Sequence, residues 1–182
     1  QFPGKIVYHS HLHEKPRSRI YYDYVITVSE FCRREWLGLI PEGNAFVLRN
    51  GINPARFKKR MSIDEKIQLR ESFGITPDDF IVLYCGRLIP EKGVLELVTA
   101  ITGISNEQIR LLCVGSSAFA GGKKTEYTEH IQELALKHTG RIIFTGYVNN
   151  EELYKYQQIA DIQVIPSLCE EAAGLVAIEG MC

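Results

Sequence analysis

A doubly wound α/β domain with a parallel sheet is the fold class that this sequence predicts, and three observations predict it. Apolar runs of strand length alternate with stretches of helical pattern over most of the chain, in the order strand then helix. The run Phe80-Ile81-Val82-Leu83-Tyr84-Cys85 is continuously apolar, and an amphipathic stretch follows it from about Val94. With 182 residues and 45% hydrophobic content, the chain can bury a sizeable core.

The elements follow in order. Lys5 to His9 reads as a short strand and Tyr24-Val25-Ile26-Thr27-Val28 as a second. Ser29 caps a helix from Glu30 to Leu39, and Ala45 to Leu48 is a third strand. Ser62-Ile63-Asp64-Glu65 is a capping box that opens a helix to Phe73, ended by Gly74. Strand 80–85, helix 93–102, strand 109–114 and a helix from about Thr125 to His138 come next. Strand 141–144, helix 150–159, strand 161–165 and a helix from near Ala172 complete the set. The long stretch Gly115 to Lys124 sits at a strand's carboxyl end, where ligand loops belong. A boundary near residue 43 divides the chain: 1–44 as the edge of an upstream domain, 45–182 as a second domain.

Charge and cysteine usage exclude several classes. A net charge of -1 gives no general reason to expect a nucleic acid or an anionic membrane as the main partner. The five cysteines are odd in number and widely spaced, without a C-x-x-C pair, and read as reduced core residues of a cytoplasmic protein. No apolar run approaches the roughly 18 residues of a membrane span, and no signal peptide is visible. The chain opens without Met and stops two or three turns into its last helix. A piece of a protein about twice as long is therefore expected.

Two segments carry the chemistry. Glu171 and Glu179 have seven residues between them, joined by apolar and small residues. On one helix that spacing spans about 12 Å and places both carboxylates on roughly the same side. Glu170 is the neighbouring option for the first position but leaves eight residues between the pair. The free N–H groups near Ala173, Gly174 and Leu175 would meet an anion at the helix start. The second segment, Gly86-Arg87-Leu88-Ile89-Pro90-Glu91-Lys92-Gly93, puts Arg87 at a strand exit and Lys92 at a helix entrance. A forked guanidinium and a point-charge ammonium can both serve a diphosphate.

Together, G-R-L-x-x-E-K-G, the later E-x7-E, Val47-Leu48-Arg49-Asn50-Gly51-Ile52-Asn53 and Phe144-Thr145-Gly146-Tyr147-Val148 resemble glycosyltransferase family 4. These are retaining nucleotide-sugar transferases of the GT-B fold, so the resemblance implies a Rossmann-like C-terminal half with 45–182 as the donor-binding domain. It implies that Glu171 contacts the transferred sugar near C3 and Glu179 the ribose hydroxyls. Arg87 and Lys92, with Gly86 at the turn, would neutralise the leaving diphosphate. Gly174 and Leu175, with Ala173, would supply backbone donors, and Tyr147-Val148 would lie along the base. A nucleotide-diphosphate sugar is implied as donor, a UDP-sugar favoured, with no cofactor and no metal. The implied acceptor is a glycan, glycolipid or protein in polysaccharide, cell-wall or glycolipid synthesis, with peripheral membrane contact at the inner face.

Rival readings attach to particular residues. His9, His11 and His13 lie at strand spacing and could hold a divalent metal, close to the H-x-H-x-D-H pattern of metallo-β-lactamase-like hydrolases. His13 stands where that pattern needs Asp, and Glu14 where it needs the last His. The cluster Arg56-Phe57-Lys58-Lys59-Arg60 reads as a surface loop that could meet lipid head groups or an anionic acceptor; Lys123 and Lys124 read as solvated. A nucleotide-sugar-binding protein without activity and a GT-B nucleotide-sugar epimerase remain alternatives. A dinucleotide dehydrogenase is disfavoured, since no G-x-G-x-x-G follows a strand.

Overall fold

The computed structural model describes residues 3–11, 22–117 and 125–182. They form two compact units, Gln1–Ile52 with Glu170–Leu175, and Asn53–Cys169 with Val176–Cys182.

The first unit holds a three-stranded parallel sheet in the order β1 (Val7–Ser10), β2 (Tyr24–Thr27), β3 (Ala45–Val47). Val25 pairs with Ala45 and Thr27 with Val47, so the strand at 45–47 completes this sheet. The expected boundary near 43 therefore falls too early: backbone hydrogen bonding to β2 keeps this strand with the first unit. Alternate residues of β2, Val25 and Thr27, are fully buried. The buried Thr27 hydroxyl is satisfied by donating to Ser29 O at 3.1 Å and Phe46 O at 3.3 Å. Ser29 caps α1 (Glu30–Arg34), its Oγ accepting from Cys32 N at 3.2 Å. The helix stops at Arg34 rather than Leu39. From Glu35 on, the amides bond three residues back (Glu35 N to Cys32 O, Trp36 N to Arg33 O, Leu37 N to Arg34 O), and the tightened turn runs into Gly38.

The second unit is the doubly wound one. Its sheet runs in the order β6 (Ile142–Gly146), β5 (Ile109–Val114), β4 (Phe80–Cys85), β7 (Ile162–Gln163), all parallel. Val82, Tyr84, Leu111 and Cys113 face α4 (Val94–Gly103) and α5 (Glu126–Leu136) through Val94, Val98, Ile101 and Ile131. Ile81, Leu83, Cys85, Leu112 and Val114 face the other way, packing with Ile75 and with Leu153 and Ile159 of α6 (Leu153–Ile159). The partly buried Leu69 and Phe73 join that second cluster from α3 (Ile63–Ser72) and its end. Each fully buried aliphatic side chain contributes about 1.5–3 kcal/mol relative to exposure, which explains why β4, covered on both faces, has no charged position. α3 opens with the expected capping box, Ser62 Oγ accepting from Glu65 N at 3.2 Å and Glu65 Oε2 from Ser62 N at 2.7 Å.

A polar clamp closes the amino ends of these strands. The buried Asp79 carboxylate accepts from Thr76 N at 2.7 Å, Thr76 Oγ1 at 2.9 Å and Arg110 Nε at 2.9 Å. Arg70 donates to Ile159 O at 3.1 Å and Asp79 O at 2.5 Å. Asp161, just before β7, accepts from Ile81 N at 2.6 Å.

Three expectations shift. The basic run 56–60 is not wholly a loop: α2 (Pro54–Phe57) covers its start, capped by Asn53, and Phe57 is buried. The strand at 161–165 contracts to Ile162–Gln163, since only these two residues pair with β4. The last helix, α7 (Leu175–Gly180), begins three residues later than expected, because Gly174 takes a left-handed conformation at φ 58°.

Candidate functional site

All strands of the second sheet point the same way, so their carboxyl ends bring Gly86-Arg87, Gly115, Gly146-Tyr147 and the residues after Gln163 to one edge. The edge is stitched by backbone. Gly86 N donates to Val114 O at 3.0 Å, Gly115 N to Gly146 O at 3.0 Å, and Leu88 N to Ser116 O at 3.0 Å. Only glycine fits at 115, where a Cβ would overlap the Gly86 carbonyl oxygen. Beneath the turn, the buried Tyr84 hydroxyl donates to Arg87 O at 2.6 Å. A Cβ on Gly86 would stand 2.8 Å from that hydroxyl.

The turn continues through a 3₁₀ turn at Pro90–Lys92 and then Gly93, left-handed at φ 65° and ψ 26°, from which α4 starts. A Cβ on Gly93 would overlap the Pro166 carbonyl oxygen, and Leu168 N donates to Glu91 O at 3.0 Å. The chain after β7 is thus pressed directly onto the turn. Arg87 is exposed and Lys92 half-buried. After β6, Tyr147 is exposed while Val148 packs into the core cluster on one sheet face.

On α7, Glu179 is half-buried, and burial raises its pKa above the usual carboxylate range while Arg56 pulls the other way. Gln163 Nε2 donates to Val176 O at 2.8 Å and ties this helix to β7. Ile178 and Met181, near Glu179 in sequence, are exposed. Glu171, Ala173 and Gly174 precede the helix, so Glu171 and Glu179 do not lie on one helix as their spacing predicted. Glu171, Ala173, Gly174 and Leu175 belong to the first unit; Gly86, Arg87, Lys92, Tyr147, Val148 and Glu179 to the second. Within the first unit, Cys32 Sγ reaches Ala172 O at 4.0 Å.

Three cysteines, Cys32, Cys85 and Cys113, are buried, and Cys169 and Cys182 are exposed. Burial pushes the Cys85 thiol up to about 12, so it is no nucleophile at neutral pH. The His9 and His11 rings lie 4.1 Å apart at the end of β1. Among the described residues no group of three or more His, Cys, Asp or Glu is placed to hold a metal. His13, Lys123 and Lys124 lie outside the described residues.

The family model for glycosyl transferases group 1 matches residues 65–182, well over half of the chain. The chain belongs to the glycosyl transferases group 1 family. It is 36% identical over 160 residues to an uncharacterized glycosyltransferase of Methanocaldococcus jannaschii, covering 86% of this chain and 39% of that protein. It is 28% identical over 181 residues to the lipopolysaccharide 1,2-N-acetylglucosaminetransferase of Salmonella typhimurium, covering 98% of this chain and 46% of that one. The chain thus spans less than half the length of these two relatives. Among solved structures, Anabaena HepE in complex with UDP-glucose shares its α/β fold with a TM-score of 0.81 at 20% identity, covering 97% of this chain and 50% of HepE. No helix among the described residues is long and apolar enough to cross a membrane.

In this member of the group 1 family the motif residues Arg87, Lys92 and Gly93 were legible from sequence. Tyr84 and Pro166 were not, and Gly115 was read only as the start of a ligand loop. Gly115 carried a faint signal, as a glycine directly after a strand, whereas Tyr84 and Pro166 act through tertiary contacts that leave no local pattern.

Proposed function

We propose that this chain carries the donor side of a retaining glycosyltransferase, which moves a sugar from a nucleoside-diphosphate donor, with a UDP-sugar favoured, to an acceptor hydroxyl. The observation that carries the reading is the backbone-stitched edge at Gly86, Gly115 and Gly146. It presents one exposed guanidinium and one half-buried ammonium where an open α/β sheet takes ligands. The family membership and the UDP-glucose bound to HepE support it.

In this reading Arg87 and Lys92 meet the two phosphates. Their positive field stabilises the diphosphate as the glycosidic bond breaks and positive charge grows at the sugar's anomeric carbon. Glu179 accepts from the ribose hydroxyls, Glu171 orients the sugar hydroxyls, and Tyr147 lies along the base. Turnover then needs no divalent metal. The acceptor is a glycan or glycolipid of a surface polysaccharide or cell envelope, as the lipopolysaccharide-synthesising relative suggests.

In the longer protein that contains this chain, Lys92→Ala and Glu171→Gln are each expected to lower kcat/KM for the donor by about 30- to 1,000-fold, or roughly 2–4 kcal/mol. Circular dichroism should remain unchanged, and EDTA should leave the rate intact. Near-normal turnover by both variants on every accepted UDP-, GDP- and ADP-sugar would sink the assignment. Donor binding without turnover by the unaltered protein would favour a binding protein.

A further inference from the structure

Packing on both sides of α7 fixes where Glu179, its one acidic residue, is directed. Val176 packs into the core cluster that holds Cys85, Val114 and Leu153. Glu179, three residues on, lies on the same side of the helix. The end of α7 is pressed onto β7: a Cβ on Gly180 would stand 2.6 Å from Gln163 Oε1, while Gln163 Nε2 donates to Val176 O at 2.8 Å. Glu179 is therefore held near the carboxyl end of β4, where its charge reaches the Cys85 thiol, one residue before Gly86.

A second element converges on the same place. α2 is a single turn, capped by the Asn53 side chain, which accepts from Ala55 N at 3.1 Å, and anchored by the buried Phe57. Its exit is tied to α6, where Gln158 Oε1 accepts from Met61 N at 2.9 Å and Gln158 Nε2 donates to Lys59 O at 2.6 Å. Arg56, next to the Phe57 anchor, is exposed and is the cation that acts on Glu179. Among the described residues neither side chain is committed to an ion pair, so the carboxylate is left open to a ligand. The other neighbours bring no charge: Cys85 is a neutral thiol, and β7 presents the Gln163 amide. Burial alone favours the neutral carboxylic acid, a poorer acceptor, and Arg56 opposes that. A guanidinium kept only for solubility need not stand by a half-buried carboxylate that has no other counter-charge.

We propose that Arg56 is a positioning residue for the donor: it acts through Glu179, holding that carboxylate charged and open to accept from the hydroxyls of the nucleotide's ribose. This role rests on the donor reading of Glu179 and extends the site to α2.

The test uses R56Q, R56K and E179Q in the longer protein that contains this chain, with two readouts. Carbon-13 NMR of glutamate-labelled protein without donor follows the Glu179 carboxyl, assigned as the signal that E179Q removes. R56Q should move its titration to higher pH, and R56K should keep it in place. The donor KM, measured across the pH range with a UDP-sugar, should rise about two- to fivefold in R56Q at mildly acid pH, the effect of one exposed charge. The difference should close as pH rises, since alkali ionises Glu179 with or without Arg56. R56K should restore KM, kcat and the unfolding temperature should hold, and R56Q should add nothing in the E179Q background. A titration unmoved by R56Q would overturn the proposal. So would a KM deficit that is equal at every pH or that persists in E179Q, which would make Arg56 a direct contact or a structural residue. A titration that moves while donor KM ignores both R56Q and E179Q would sink the donor reading of Glu179 itself, and this role with it.

Discussion

The turn from Gly86 to Gly93 and the segment from Glu170 to Leu175 use the same parts, a charged side chain and a left-handed glycine, yet are built in opposite ways. The first is braced by the Tyr84 hydroxyl under Arg87 O, by Gly115 against the Gly86 carbonyl, and by Pro166 O against Gly93. The second has room: a Cβ on Gly174 would meet only the Glu171 Cβ, at an ordinary 3.9 Å. The first turn therefore holds its charges in one geometry by packing. The second has no such close packing at its glycine.

The sharpest test of that difference is a pair of matched substitutions. Both glycines are left-handed, at φ 65° and 58°. Gly174→Ala should cost only the left-handed penalty, about 1–2 kcal/mol. Gly93→Ala adds overlap with backbone that cannot swing away, and should cost about 3 kcal/mol or more, read by denaturant unfolding. Equal costs would mean that the bracing by Pro166 is not tight.

A change at the far edge of the same sheet separates global stability from the turn. Burial alone would raise the Asp79 carboxyl, but the Thr76 backbone and hydroxyl donors and the Arg110 guanidinium outweigh it and hold its pKa below the ordinary value. A lowered pKa stabilises the fold fully above the unfolded value of about 4, and that contribution is lost as pH falls through the folded one. Asp79→Asn is thus expected to cost about 2 kcal/mol at pH 7, a gap that closes below pH 4, with donor affinity unchanged.

The smallest effect belongs to Tyr84→Phe, which removes one hydroxyl and about 1 kcal/mol. Here the informative readout is kinetic. If the hydroxyl positions Arg87, the donor KM should rise several-fold at nearly constant unfolding temperature; an unchanged KM would make Tyr84 purely a core residue.

How much of this was legible in the sequence follows from where each constraint lies. β4 matches its expected bounds because a strand covered on both faces leaves a continuous apolar run, and β5 does so with Arg110 near its start as the single interruption. The capping box at Ser62 was readable because it closes within four residues. α1 and α7 were misjudged where the backbone changed conformation without a change in residue pattern, at Glu35 and at Gly174. β3 was assigned to the wrong unit because a strand's sequence does not name its neighbour. For the site, Arg87, Lys92 and Gly93 stood in one motif, while the helical geometry assumed for Glu171 failed: a seven-residue gap says nothing of whether the chain between is helical.

The shortness of β7 has a consequence for how the molecule assembles. β4 pairs with β5 across a modest separation, Phe80 opposite Ile109, but β7 must return across 80 residues to place the Asp161 carboxylate on Ile81 N, and only two of its residues enter the ladder. Non-local closures of this kind carry the larger chain-entropy cost and form late, and a two-residue ladder is the first to open in the native state. The Pro166 carbonyl that seats Gly93 arrives with β7. The corner where Pro166 seats Gly93 is therefore expected to be finished late in folding and to open before β4 and β5 part from one another.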